Sequence, residues 1–223
     1  MTEEKKAAQG RTELVFILDR SGSMSGLESD TIGGFNGMLR RQQEESTDIL
    51  VSTVLFDDEV EVIHDRVPIG KVAPLTGREY FTRGCTALLD AVGDSIQHIR
   101  NIHKYAREED RPVRTMFVIT TDGLENASVR YTAKKVKKLI GHQEKKHGWE
   151  FIFLGANMDA VAVAGDLGIR RENSVKFACD AGGVCENFAS LSEMTASFIK
   201  TGAVTAGWSL PIAEYCKKAR GKK

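Results

Sequence analysis

The chain is 223 residues long, 41% hydrophobic and 28% charged, with 31 basic and 31 acidic side chains and a formal net charge of zero. That length suits one substantial α/β domain rather than two. The balanced charge excludes a global pull toward nucleic acid or an anionic membrane, so function is expected from a local site and neither of those is expected as a partner.

The start, "MTEEKKAAQG", is polar where a signal peptide would be apolar, and residues 1–10 read as a disordered tail. No apolar run approaches the roughly 20 residues of a membrane span, which points to a cytosolic protein. The first strand is expected at "TELVFILD" (residues 12–19), and it stops abruptly on Asp19, followed by Arg20, Ser21, Gly22 and Ser23. A helix follows over "SDTIGGFNGMLRRQQEE", and its Gly33, Gly34 and Gly37 are explained if the helix approaches the sheet closely. The runs "DILVSTVLF" and "EVEVIHDRV" leave no room for a helix between them, so they form a hairpin with Asp57 and Asp58 at its turn. That hairpin implies one antiparallel edge strand.

Next, "TRGCTALLDAV" places Thr86 before a helical stripe of Leu88, Leu89, Val92, Ile96 and Ile99. The strand "TMFVITTD" ends on Asp122 with Gly123 turning the chain, and a second stripe of Val129, Ala133, Val136 and Ile140 follows. "EFIFLG" and a weaker "SVKF" are the last strands, and Val184, Phe188, Leu191, Thr195 and Phe198 mark a final long helix. "EYCKKARGKK" reads as a short, solvated basic tail. Strands too uniformly apolar to have a wet face, alternating with amphipathic helices, give a doubly wound, mostly parallel α/β sheet with helices on both faces, a Rossmann-like arrangement.

In such a sheet functional groups gather beyond the carboxyl ends of the strands. Asp19 and Asp122 both stand there. Gly22 lets Ser21 and Ser23 aim their hydroxyls at the same point, and Thr86 sits on a third loop behind Gly84. A bundle of hard oxygens suits Mg²⁺ or Mn²⁺. Cys85, Cys179, Cys185 and Cys216 form no CxxC pair, and His64, His98, His103, His142 and His147 fall on no metal spacing; these residues are expected as reduced thiols and packing or surface groups.

The set Asp19, Arg20, Ser21, Gly22, Ser23, then Thr86, then Asp122 and Gly123, resembles the von Willebrand factor type A (vWA) domain with its metal-ion-dependent adhesion site (MIDAS). The resemblance runs from about Thr12 to about Thr201 and is similar to bacterial-type, cytosolic, single-domain members. It implies a vWA domain over residues 11–202 and a C-terminal extension with a basic tail over 203–223. Cys85 stands where a second glycine often precedes the threonine, and the segment from Trp208 onward has no fixed counterpart. The resemblance further implies that Ser21 and Ser23 are direct ligands, that Asp19 orients them and holds the metal partly through water, and that Thr86 and Asp122 exchange direct and water-mediated coordination. It implies a non-catalytic domain that binds a protein partner through that partner's Asp or Glu.

Two other classes stand beside it. A Mg²⁺-dependent phosphohydrolase of the haloacid-dehalogenase type also ends its first strand on an Asp, but it needs DxD, and Ser21 occupies the position of the acid–base carboxylate. No GxxxxGK, GxSxG or HExxH motif is present. The third class is a metal-independent structural or regulatory subunit of a larger cytosolic complex.

Overall fold

The computed structural model describes residues 10–46 and 48–221. Residues 1–9, expected as a tail, and the last two lysines lie outside the described residues. The strands are β1 (Thr12–Asp19), β2 (Ile49–Phe56), β3 (Val60–Pro68), β4 (Arg114–Thr121), β5 (Glu150–Gly155) and β6 (Ser174–Lys176). The helices are α1 (Glu28–Glu45), α2 (Leu88–Tyr105), α3 (Ala133–His147), α4 (Ala160–Asp166), α5 (Ala181–Thr201) and α6 (Leu210–Arg220).

The strands form one sheet in the order β3-β2-β1-β4-β5-β6. Only the β2–β3 pair is antiparallel, because the tight turn at Asp57 and Asp58 leaves no chain for a crossover. β1, β2 and β4 are buried along their whole length, as central strands covered on both faces must be. β1 shows the period-2 logic directly. Leu14, Phe16 and Leu18 pack with Phe35 and Met38 of α1 and Phe188 and Leu191 of α5. Val15 and Ile17 face the other way, onto Val92 and Ile96 of α2 and Val136 and Ile140 of α3. Each such buried side chain stabilises the fold by about 1.5–3 kcal/mol.

Three local expectations are corrected. Val129 lies outside α3 and is 90% exposed, because Thr132 caps the helix by accepting from the Lys135 N–H and so fixes its start. The glycines of α1 do not serve an approach to the sheet. Gly34 alone is crowded, since a Cβ there would come within 2.3 Å of the Phe188 ring of α5, while nothing lies near Gly33. The expected basic tail is helical where it is described: α6 packs on α5 and β6, burying Ile212 and Cys216, and Trp208 Nε1 donates to Glu172 O at 3.0 Å.

Candidate metal centre

Asp19 is the last residue of β1, and Asp122 follows β4 directly, so the two adjacent parallel strands deliver two carboxylates to the same end of the sheet. Each is 2% exposed. The chain after Asp19 turns in a short 3-10 segment (Gly22–Met24). The Ser21 N–H donates to Asp19 Oδ1 at 2.7 Å, and the Ser21 and Ser23 hydroxyls lie 3.0 Å apart. Ser23 Oγ reaches across to donate to Asp122 Oδ1 at 2.5 Å, which joins the first loop to the third.

Thr86 completes the cluster from the second loop. A Cβ built on Gly123 would stand 2.9 Å from Thr86 Oγ1 and 3.3 Å from Ser23 Oγ, so hydroxyls from two loops converge on the space this glycine leaves. Asp19, Ser21, Ser23, Thr86 and Asp122 are therefore neighbours in space although they span a hundred residues of chain. Among the described residues no cluster of three or more His, Cys, Asp or Glu side chains could hold a metal, so any cation here depends on hydroxyl oxygens as well as the two carboxylates. Burial raises the Asp19 carboxyl above its ordinary value; hydrogen bonds from Ser21 and Thr121 oppose this, and the Asp122 charge adds to it. Buried carboxylates facing hydroxyls, with no Lys or Arg ion-paired to either among the described residues, form a donor set that fits a hard dication.

Residues outside the expected set build the cradle. Thr121 Oγ1 donates to Asp19 Oδ2 at 2.5 Å, and Tyr80 OH donates to the Asp19 carbonyl at 2.6 Å. With both carboxylate oxygens already held by the chain, Asp19 is placed to orient the loop. The second loop is clamped by Asp57, which is more than a turn residue. It is fully buried, and its Oδ2 accepts from Arg20 Nε and from Arg83 Nε, each at 2.8 Å. Its carbonyl also accepts the Ala87 N–H at 2.7 Å, one residue after Thr86. Burial alone would raise the Asp57 carboxyl, but the Arg83, Glu59 N–H and Arg20 hydrogen bonds outweigh it and hold the group below its ordinary value. Gly84 has φ +64°, and a Cβ there would collide with Asp58 Oδ1 at 1.7 Å, so the loop requires glycine at that point.

The third loop is stapled to the start of α2. Asn126 Oδ1 accepts from the Thr86 N–H at 2.8 Å, Glu125 Oε2 accepts from the Leu89 N–H at 2.8 Å, and Asp90 accepts from the N–H groups of Val129, Arg130 and Tyr131. The available signal was an acidic residue in the first turn of a helix, which usually answers free N–H groups. Cys85, the thiol noted beside the site in the sequence, is exposed, whereas Cys179 donates its S–H to Asp122 Oδ2 at 3.4 Å. Burial, with the Asp122 charge behind it, pushes the Cys179 thiol up to about 11.

Neither a protein-family model nor a curated protein matches this chain. Solved structures do. The PilB minor pilin from Streptococcus sanguinis is similar at 12% identity and a TM-score of 0.61, over 86% of this chain and 62% of that one. The vWF domain of the type V pili tip protein Mfa5 from Porphyromonas gingivalis is similar at 11% identity and a TM-score of 0.60, over 88% of this chain and 98% of that one. Proximal thread matrix protein 1 from the mussel byssus, with a zinc-occupied MIDAS motif, is similar at 16% identity and a TM-score of 0.56, over 85% of this chain and 46% of that one. The chain thus spans less than two thirds of the pilin it matches. The likeness shows that this chain has the fold of von Willebrand factor type A domains.

Proposed function

We propose that this protein is a non-catalytic, divalent-metal-dependent protein-binding domain whose MIDAS-like centre of Asp19, Ser21, Ser23, Thr86 and Asp122 captures an acidic side chain of a partner. The observation that carries this reading is the convergence of hydroxyls from two loops on two buried carboxylates to which no Lys or Arg is ion-paired among the described residues. A Mg²⁺ or Mn²⁺ ion held there keeps much of its charge, because hydroxyls neutralise little of it, and so offers a position that an incoming Asp or Glu completes. Asp19 and Thr121 hold the first loop in shape, Ser23 ties it to Asp122, and Asn126 holds Thr86 in reach.

The rim supports a protein rather than a small acid as partner. Leu124, two residues after Asp122, is 61% exposed, and Phe81, whose ring is in cation–π contact with Arg20 and Arg83, is 41% exposed. Apolar groups flanking a charged anchor are the composition of a binding patch. Ser21, whose hydroxyl faces Ser23, stands where a phosphohydrolase would carry its acid–base carboxylate, which supports the non-catalytic reading. The binding unit is proposed as residues 11–202, with 203–223 an extension whose described helix α6 packs on α5 and β6. Exposed, free Cys85 and Cys185 fit action in the reducing cytoplasm. No helix among the described residues is long and apolar enough to cross a membrane.

Isothermal titration with Mg²⁺ and Mn²⁺ tests the centre: wild type binds, and a Ser21→Ala, Ser23→Ala double variant does not. Equal heats from both proteins would overturn the assignment. Affinity capture from native cells tests the partner; proteins retained in Mn²⁺ and released by EDTA are expected, whereas partners that survive both EDTA and the serine substitutions point to a metal-independent interface.

A further inference from the structure

The opposite end of the sheet carries a second polar feature that the metal centre does not use. Between α2, α3 and the chain entering β4 lies a groove of about 790 Å³, at the amino ends of β4 and β5, lined by Thr115 and Trp149 from those strand starts. Its walls carry Arg100 and Lys104 from α2, Arg111 from the loop before β4, and Lys138 and Lys146 from α3. Among the described residues none of these five cations makes an ion pair, in a chain whose acidic and basic side chains balance. Lys104 and Lys146 sit in the last turns of their helices, where the helix dipole favours cations. The dipole does not account for Arg100, Arg111 or Lys138.

A further observation points to a ligand. Gln143 of α3 lies in the groove wall, is fully buried, and among the described residues neither its Nε2 nor its Oε1 has a hydrogen-bond partner. An unpartnered buried amide costs about 1–3 kcal/mol, so this one calls for something that donates and accepts. The local field agrees with the geometry. Burial first, and then the charges of Lys146, His142, His103 and Arg111, lower the pKa of His147. Among the described residues His103 alone of these groups meets a carboxylate, that of buried Glu13.

We propose that this groove binds a small ligand carrying several phosphates, with the five cations holding the phosphates and the Gln143 amide hydrogen-bonding the ligand. The volume falls within the roughly 300–1,000 Å³ of small-molecule sites. Arg and Lys drawn from three separate elements enclose an anion on several sides, as phosphate recognition requires. Exposed Glu108, Glu109 and Asp110 directly precede Arg111 and put negative charge at that rim, which disfavours a long polyanion running through the groove. That is the feature that favours a compact ligand over single-stranded nucleic acid.

The test is calorimetry in EDTA, which silences the metal centre, with inorganic tripolyphosphate and with ATP as probes. Both are expected to bind wild type and the Ser21→Ala, Ser23→Ala variant alike. A Lys138→Glu, Lys146→Glu variant, altered only at exposed positions, should keep the wild-type circular dichroism spectrum and bind at least about tenfold more weakly. Gln143→Leu, close in volume, should weaken ATP binding several-fold. The His147 ring protons, followed by NMR, should titrate at higher pH once tripolyphosphate is bound, because an anion reverses the repulsion that lowers its pKa. No heat with wild type, equal affinity in the charge-reversed variant, or an unmoved His147 would overturn the proposal. An affinity for oligothymidylate that grows with length and exceeds that for tripolyphosphate would replace the small ligand with single-stranded nucleic acid.

Discussion

Two buried carboxylate clusters stand at the same end of the sheet, and they are neutralised in opposite ways. Asp57 is fully buried and paired with Arg20, itself fully buried, and with Arg83. Asp19 and Asp122 are buried almost as deeply, yet their partners are the hydroxyls of Thr121 and Ser23, backbone N–H and the Cys179 thiol. Burial raises the Asp19 carboxyl; at Asp57 the hydrogen bonds overcome burial and lower it. The first cluster is complete within the chain and fixes the loops. The second is left short of positive charge, which is the state expected of a site that an outside cation completes.

Breaking the complete cluster should have the largest effect. Asp57→Ala leaves Arg20 without its closest buried partner and releases the loop that carries Thr86. Removing one partner of a buried pair costs about 3–5 kcal/mol. The lower end, about 3 kcal/mol by urea denaturation, is expected, because Glu61 Oε2 still lies 2.7 Å from Arg20 Nη1. The pH dependence has a definite sign. With the folded value of Asp57 held below 3.8, its contribution is fully present above the unfolded value and is lost as pH falls through the folded one. Acid denaturation of wild type should therefore begin at higher pH once Asp57 is replaced by Asn; an unchanged acid transition would contradict the pairing.

Completing the other cluster should come next. On the proposed reading, Mg²⁺ or Mn²⁺ at a hundred times its dissociation constant stabilises wild type by about 2.7 kcal/mol, read as a rise in melting temperature. The Ser21→Ala, Ser23→Ala variant should show no rise, and Asp57→Ala, if it still folds, should show a smaller one because its second loop is loose. Gly123→Ala separates site from scaffold. The new Cβ meets Thr86 Oγ1 at 2.9 Å and must displace it or Ser23. Metal affinity should fall about tenfold, or 1.4 kcal/mol, by calorimetry, with a smaller change in the urea midpoint.

The contrast between the clusters also explains what the sequence discloses. The six strands and the hairpin are legible because period and turn chemistry are local, and four of the five candidate residues, Asp19, Ser21, Ser23 and Asp122, stand out because they crowd the ends of two apolar runs. Asp57 is legible only as a turn residue, since its partners Arg20 and Arg83 are 37 and 26 positions away and nothing in the hairpin points to them. Thr121 is hidden for the opposite reason: it is the last residue of a strand whose alternation gives it no more than a place on one face. The error at Val129 is one of phase. Its spacing fits the stripe of α3, but the Thr132 cap starts the helix after it. The basic character of the last residues conceals Ile212 and Cys216, whose spacing of four gives α6 a buried face, with buried Trp208 just before the helix.

The smallest and most discriminating effect is expected from Asp19→Asn. Asparagine keeps the size of the side chain and an oxygen for the Ser21 N–H, while the Thr121 hydroxyl can turn to accept from the new amide. What disappears is a buried negative charge beside Asp122. In the metal-free wild type, an acid whose folded value is raised works against the fold as pH rises past its unfolded 3.8, and the loss is complete above the raised value. At neutral pH in EDTA the variant should therefore be as stable as wild type or more stable, by up to about 1 kcal/mol in urea, the increment expected when a functional group is traded for stability. With Mn²⁺ in excess the order should reverse, because only wild type gains from the ion. A variant that is less stable than wild type in EDTA would mean that the Asp19 charge serves the fold as that of Asp57 does, and the distinction between the two clusters would fail.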